Sequence, residues 1–142
     1  MSGGLLYVDT SALLRRYVAA PHRLMVVEAM EATSVWVAST LTRTEILLAL
    51  QEVVVSPEQL SVLWATVRGE WDAFWEVPID QRCLNRAVDI GGQFGLGTID
   101  ALQLAAADRL PRPARFLTLE RQQIPAAAEL GFEVISALDA TQ

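Results

Sequence analysis

Against 17 aspartates and glutamates, the chain has a single histidine, His22, and a single cysteine, Cys83. Histidine-rich zinc sites and multi-thiolate centres are therefore excluded, and carboxylates are the only plentiful metal ligands. Several acids drawn to one point repel one another, which makes sense chiefly around a divalent cation. Oxygen-only ligands select Mg²⁺ or Mn²⁺ over zinc. Such an ion activates water and steadies the charge on a phosphate being displaced. Four acids are candidates for this chemistry: Asp9, Glu45, Asp100 and Glu120.

Each candidate has an ordinary structural alternative. Asp9 can serve as a helix cap, and Asp100 suits the first turn of a helix because of the macrodipole. Glu120, beside Arg121, can be a surface residue. Glu45 has Leu41, Leu48 and Ala49 as its helical neighbours, an apolar setting that favours pairing or metal binding for a carboxylate. A salt bridge would also satisfy it, although Arg43 is too close in sequence to share its face.

The elements that must carry these acids follow from the apolar pattern. Leu5–Val8 reads as a buried strand. Asp9-Thr10-Ser11 caps a helix from about Ala12 to Ala19, and a second helix spans Leu24–Ala32. Val35–Ala38 is a strand, and Ser39-Thr40 opens a helix to about Val55. Ser56-Pro57-Glu58 starts a long helix predicted to reach Phe74. A short Val77-Pro78-Ile79 segment precedes a helix capped by Asp80, which fades near Gly91, Gly92, Gly95 and Gly97. Thr98 opens a helix ending before Pro111. Arg115–Leu119 is a strand, Pro125–Leu130 a helix and Phe132–Ile135 the last strand. This alternation predicts one domain over residues 1–142, with a parallel α/β sheet and helices on both faces. In such sheets the working site lies outside the carboxyl ends of the strands. That rule selects Asp9 and Glu120, which follow strands, and Asp100 in a first helical turn, but not Glu45.

Composition narrows the class further. No apolar run approaches the ~18–20 residues that span a bilayer, and the N-terminus lacks the pattern of a signal peptide. A cytoplasmic protein is expected, in keeping with one unpaired cysteine. A formal charge of -6 and a pI of 4.7 argue against nucleic-acid binding by bulk electrostatics. A mean hydropathy of +0.30 points to apolar surface buried against another chain, or else to a dense core. Leu60, Trp64, Val67, Trp71 and Phe74 or Trp75 recur at helical spacing. They read as core, or as a groove for a second copy or a partner helix.

Four segments, in order, resemble the PIN-domain proteins of the VapC toxin kind. Tyr7-Val8-Asp9-Thr10-Ser11-Ala12-Leu13 is similar to their opening strand and turn, and Thr42-Arg43-Thr44-Glu45-Ile46 to their helix with an internal glutamate. Gly95-Leu96-Gly97-Thr98-Ile99-Asp100-Ala101-Leu102-Gln103-Leu104-Ala105 resembles their most recognisable segment. Phe116-Leu117-Thr118-Leu119-Glu120 and the stretch 126–134 match their closing strand–helix–strand. The resemblance implies a PIN-like fold with four to five parallel strands. It also implies a homodimeric Mg²⁺-dependent endoribonuclease (Mn²⁺ being the alternative ion), with RNA as substrate and a VapB-type antitoxin as restraining partner.

By position, the resemblance makes Asp9, Glu45, Asp100 and Glu120 the catalytic and metal-binding acids. Asp9 and Asp100 would hold the ion, Glu45 would orient or deprotonate the attacking water, and Glu120 would act from the outer shell. Arg15 or Arg16 would contact phosphate. Two departures stand out: Glu120 where an aspartate is usual, and Gln103 where many relatives carry histidine. They motivate the alternative of a catalytically impaired PIN-like domain that only binds RNA or a protein partner. A phosphatase with an Asp9 nucleophile would need a second aspartate two residues later, where Ser11 stands.

Overall fold

The computed structural model describes residues 4–138; residues 1–3 and 139–142, the ends of the expected domain, lie outside the described residues. Along the chain run β1 (Leu5–Val8), α1 (Thr10–Tyr17), α2 (Arg23–Glu31), β2 (Val35–Ser39), α3 (Thr40–Val53) and α4 (Pro57–Trp71). They are followed by β3 (Phe74–Val77), α5 (Gln81–Phe94), α6 (Thr98–Ala107), β4 (Ala114–Leu117), α7 (Gln123–Glu129) and β5 (Glu133–Ile135). The five strands form one parallel sheet in the order β3-β2-β1-β4-β5. Parallel strands need crossover connections, and the helices supply them on both faces.

Alternation along β1 divides the core. Leu6 and Val8 join Leu117 beneath α1 to α4, and Tyr7 and Phe116 face the layer of α5, α6 and α7. Tyr7 and Phe116 are register partners whose rings stack at 5.4 Å. Side-chain caps start four helices: Asp9 for α1, Ser39 for α3, Ser56 for α4 and Asp80 for α5. Gly95, at φ 67°, takes the left-handed conformation that ends α5 and turns the chain toward α6.

One element differs from the sequence expectation. The helix predicted to reach Phe74 stops at Trp71, and Phe74–Val77 is a strand in place of the Val77-Pro78-Ile79 segment. Trp71 and Phe74 are three residues apart, so helical spacing runs across the break without showing it. The break is decided by pairing with β2, which sets Trp36 beside Phe74 and Ser39 beside Val77. Pro78, with no N–H, cannot extend that ladder. The aromatic stripe is largely core: Val67, Trp71 and Phe74 are buried, and only Trp75, at 61%, is well exposed.

No helix among the described residues is long and apolar enough to cross a membrane. His22 is exposed and Cys83 buried.

Leu6 is fully buried on the central strand. Leu6→Ala should cost about 2–5 kcal/mol in denaturant unfolding. Arg82, exposed on α5, should tolerate alanine within about 0.5 kcal/mol. Equal effects at the two sites would contradict the packing described.

Candidate metal centre

The strand order reverses direction at β1. From there the chain proceeds outward through β2 and β3 on one side, and through β4 and β5 on the other. A crevice opens at such a switch point, beyond the carboxyl ends of the strands. Asp9 leaves β1 into it, and Glu120 enters from the loop after β4. Asp100 lies in the first turn of α6, and Glu45 projects from the second turn of α3. All four acids line one pocket of about 180 Å³, together with Thr10, Ser11, Leu14 and Ile99. None of these lining residues is basic.

Asp9 is the deepest of the four, at 3% exposure. Its Oδ2 accepts hydrogen bonds from Ser11 N (3.1 Å) and Ser11 Oγ (2.7 Å), and Thr118 Oγ1 lies at 3.3 Å. Its Oδ1 accepts from Gln123 Nε2 at 3.2 Å. Asp9 therefore does both jobs that its position suggested, capping α1 and facing the pocket. Burial pushes its carboxyl above the usual range, opposed by the hydrogen bonds from Ser11 and Gln123.

Glu45 is not in the apolar setting that its sequence neighbours suggested. Leu48 is 57% exposed, and the carboxylate turns instead to polar groups. Its Oε1 accepts from Thr10 Oγ1 at 2.7 Å and from Gln103 Nε2 at 2.8 Å. Gln103, 1% exposed, is fixed in turn by Tyr7, whose hydroxyl donates to its Oε1, and by Thr42 at 3.0–3.1 Å. Like-charge crowding is expressed at Asp100. Burial raises its carboxyl to about 6, reinforced by the charges of Glu120, Asp9 and Glu45. Glu120 is raised by burial and by the charges of Asp9 and Glu45.

Among the described residues, no three acids, histidines or cysteines stand close enough together to grip one ion between them. The acids share a pocket rather than a closed cage. The donor set nonetheless fits a hard divalent cation. It is all oxygen, mutually repelling, and anchored on a carboxylate that is almost fully buried with no ion-pair partner among the described residues.

Of the two arginines expected to contact phosphate, Arg16 is engaged elsewhere. It pairs with Glu70 at 2.9 Å and lies over the Trp36 ring at 5.0 Å. Arg15 does not line the pocket. Sequence reasoning passed over Thr10, Thr118 and Gln123, uncharged residues that carry no signature of metal chemistry and act only through contacts across the fold.

A pH dependence follows. In the absence of divalent cations Asp100 binds a proton more readily in the folded chain (about 6) than at its ordinary value of 3.8. A raised folded pKa makes stability fall as pH rises through that window. Metal-free protein should therefore melt higher near pH 5 than near pH 7. Below that, stability should decline as Glu70 and Asp80, whose carboxyls are held low, become protonated. Asp100→Asn should raise the melting temperature at pH 7 and flatten the rise toward pH 5. A variant less stable than wild type at pH 7, with the slope unchanged, would show that Asp100 is not under charge stress.

The family description of the PIN domain matches residues 6–114. No curated protein matches the chain in sequence. Among solved structures, it is similar to a chain of a toxin-antitoxin complex from Klebsiella pneumoniae, at 18% identity and a TM-score of 0.68, covering 94% of this chain and 98% of that one. It is also similar to a chain of FitAcB from Neisseria gonorrhoeae, at 16% identity and a TM-score of 0.73, over 92% and 96% of the two chains. DNA-bound VapBC from Salmonella typhimurium gives 14% identity and a TM-score of 0.65 over 94% and 98%. At these identities the structural likeness concerns the fold. The family match, which spans most of the chain and three of the four clustered acids, goes further: the chain belongs to the PIN domain family.

Proposed function

We propose that this chain is a metal-dependent endoribonuclease, the toxin of a type II toxin–antitoxin pair, using Mg²⁺ or Mn²⁺ and restrained by a VapB-type antitoxin. The observation that carries this reading is the convergence of Asp9, Glu45, Asp100 and Glu120, from four separate elements, on one pocket with no basic lining residue. PIN domains are generally nucleases that use divalent metals, and the structural neighbours are chains of toxin-antitoxin assemblies.

Asp9 and Asp100 would hold the ion directly, and Glu45 and Glu120 through water. When bound, the ion supplies Lewis acidity toward the phosphodiester and toward the attacking water. Thr10 and Gln103 hold Glu45 by Oε1. That leaves Oε2, which makes no hydrogen bond among the described residues, to accept the proton of the attacking water. Ile99, 44% exposed, and Leu14 give the pocket an apolar wall beside the acids. An acidic chain with such a site would approach RNA through the cation rather than through a basic surface. The antitoxin would restrain it by bringing a basic residue into the same pocket.

Asp9→Asn and Asp100→Asn should each abolish Mg²⁺-dependent cleavage of RNA while the fold persists. The loss should exceed the roughly 10–100-fold that removal of an outer-shell partner costs. Glu120→Asp should retain activity and Glu120→Gln reduce it in part, in keeping with action through water. A loss in Glu120→Gln equal to that in Asp9→Asn would make Glu120 a direct ligand. Wild-type protein inert toward total RNA with Mg²⁺, as it is with EDTA, would support the impaired, partner-binding alternative.

We also propose a homodimer. Leu84, Val88 and Ile99 are exposed around the α5–α6 layer, and Leu24, Leu48, Val53, Val55 and Val62 on the opposite helical layer. Light scattering should give twice the chain mass at high micromolar concentration; a monomer there would overturn the assembly.

A further inference from the structure

Gln123 is fully buried at the start of α7, and its side chain reaches two acids of the pocket, Asp9 and Asp100. Nε2 lies 3.2 Å from Asp9 Oδ1 and 3.3 Å from Asp100 Oδ1. An amide nitrogen carries two hydrogens, so each carboxylate can receive one. The other end of the amide is fixed as well, because Oε1 accepts from Thr118 Oγ1 at 2.7 Å. Reversing the amide would set its oxygen against two carboxylates, so electrostatics selects this orientation. Thr118 is itself oriented, since its hydroxyl oxygen accepts from Glu120 N at 2.9 Å while its one proton goes to Gln123. The Gln123 backbone is anchored to the same loop, with its N–H donating to Glu120 O at 3.0 Å.

Resting on the metal-dependent reading above, we propose that Gln123 is a positioning residue of this site: an uncharged strut that bridges Asp9 and Asp100 and sets their spacing for a divalent cation. Two carboxylates alone in a buried crevice would separate. An arginine or lysine between them would hold them, but it would also neutralise them and compete with the cation. A glutamine amide holds both by one oxygen each. It leaves their negative charge intact and a second lone pair on each bridged oxygen free. It is also fully satisfied, as a buried amide must be. Gln103 performs the matching service for Glu45 on the other side of the pocket.

The test is a metal-free double-mutant cycle followed by metal titration. In EDTA at pH 7, Gln123→Glu replaces the donating nitrogen with an oxygen and keeps the acceptor for Thr118, so it should lower the melting temperature. In an Asp100→Asn background the same substitution should cost clearly less, because the asparagine amide can donate back across the pair. Equal losses in the two backgrounds would mean that Gln123 only fills space. Should Gln123→Glu fail to fold, Gln123→Met, close in volume and lacking a donor, replaces it in the cycle with the same criterion. Calorimetric titration of the full chain with Mn²⁺ should then show binding weakened about 10–100-fold in Gln123→Met. Unchanged Mn²⁺ affinity in that variant would overturn the positioning role. Wild-type protein that takes up no Mn²⁺ would sink the metal-dependent reading instead, and the metal-free cycle would still decide whether the bridge exists.

Discussion

Asp9 is a carboxylate removed from water at the centre of a sheet, with no cation beside it among the described residues. Burying an isolated charge costs several kcal/mol even after relaxation. Every group around it bears on that cost. Ser11 supplies a backbone and a hydroxyl donor, Gln123 an amide donor and Thr118 a nearby hydroxyl. The three donors, two from Ser11 and one from Gln123, offset the desolvation in part, and the carboxyl stays above its usual range. The remaining stress is the kind that a divalent cation relieves, because an ion stabilises all the surrounding carboxylates at once.

Buried hydroxyls and amides gather at this end of the sheet. Tyr7, Ser39, Thr42, Gln103, Thr118 and Gln123 are all buried. In a core otherwise of leucine, valine, alanine and phenylalanine, six such side chains are costly unless each finds its partners. Here they find one another and the acids. Gln103 joins β1, β2 and α3 through Tyr7, Ser39, Thr42 and Glu45. Gln123 ties the loop after β4 to Asp9 and Asp100. The polar network thus links the two halves of the sheet across the switch point, where the strands themselves leave a crevice.

On the proposed reading, this arrangement would also reconcile an acidic chain with a polyanionic substrate. Net charge of -6 and a pocket lined by four acids would repel RNA in the absence of a cation. Uncharged struts hold the acids without cancelling their charge, which would leave neutralisation to a bound cation. The positively charged group that meets phosphate would then be acquired rather than built in, so that binding and catalysis would depend on the same ion.

Sequence by itself determined the α/β class and most element positions, and it singled out four acids whose meeting in one pocket only the fold shows. The reason is that burial on both faces of a parallel sheet demands continuous apolar strands, and caps such as Asp9, Ser39, Ser56 and Asp80 mark the helix starts locally. Asp9 and Glu120 were legible because they follow strands, and Asp100 because it opens a helix. Only the tertiary structure decided where α4 ends, since the 3.6-residue rhythm continues past Trp71 and the pairing of β3 with β2 cuts it off. Only the tertiary structure turned Glu45 from its leucine neighbours toward Thr10 and Gln103, and placed Gln123 between Asp9 and Asp100. Those contacts join residues up to 114 positions apart. A neutral glutamine has no periodicity, charge or spacing to announce it, so its role exists only once the sheet order has brought β1, β4 and the first turn of α6 to one edge of the same crevice.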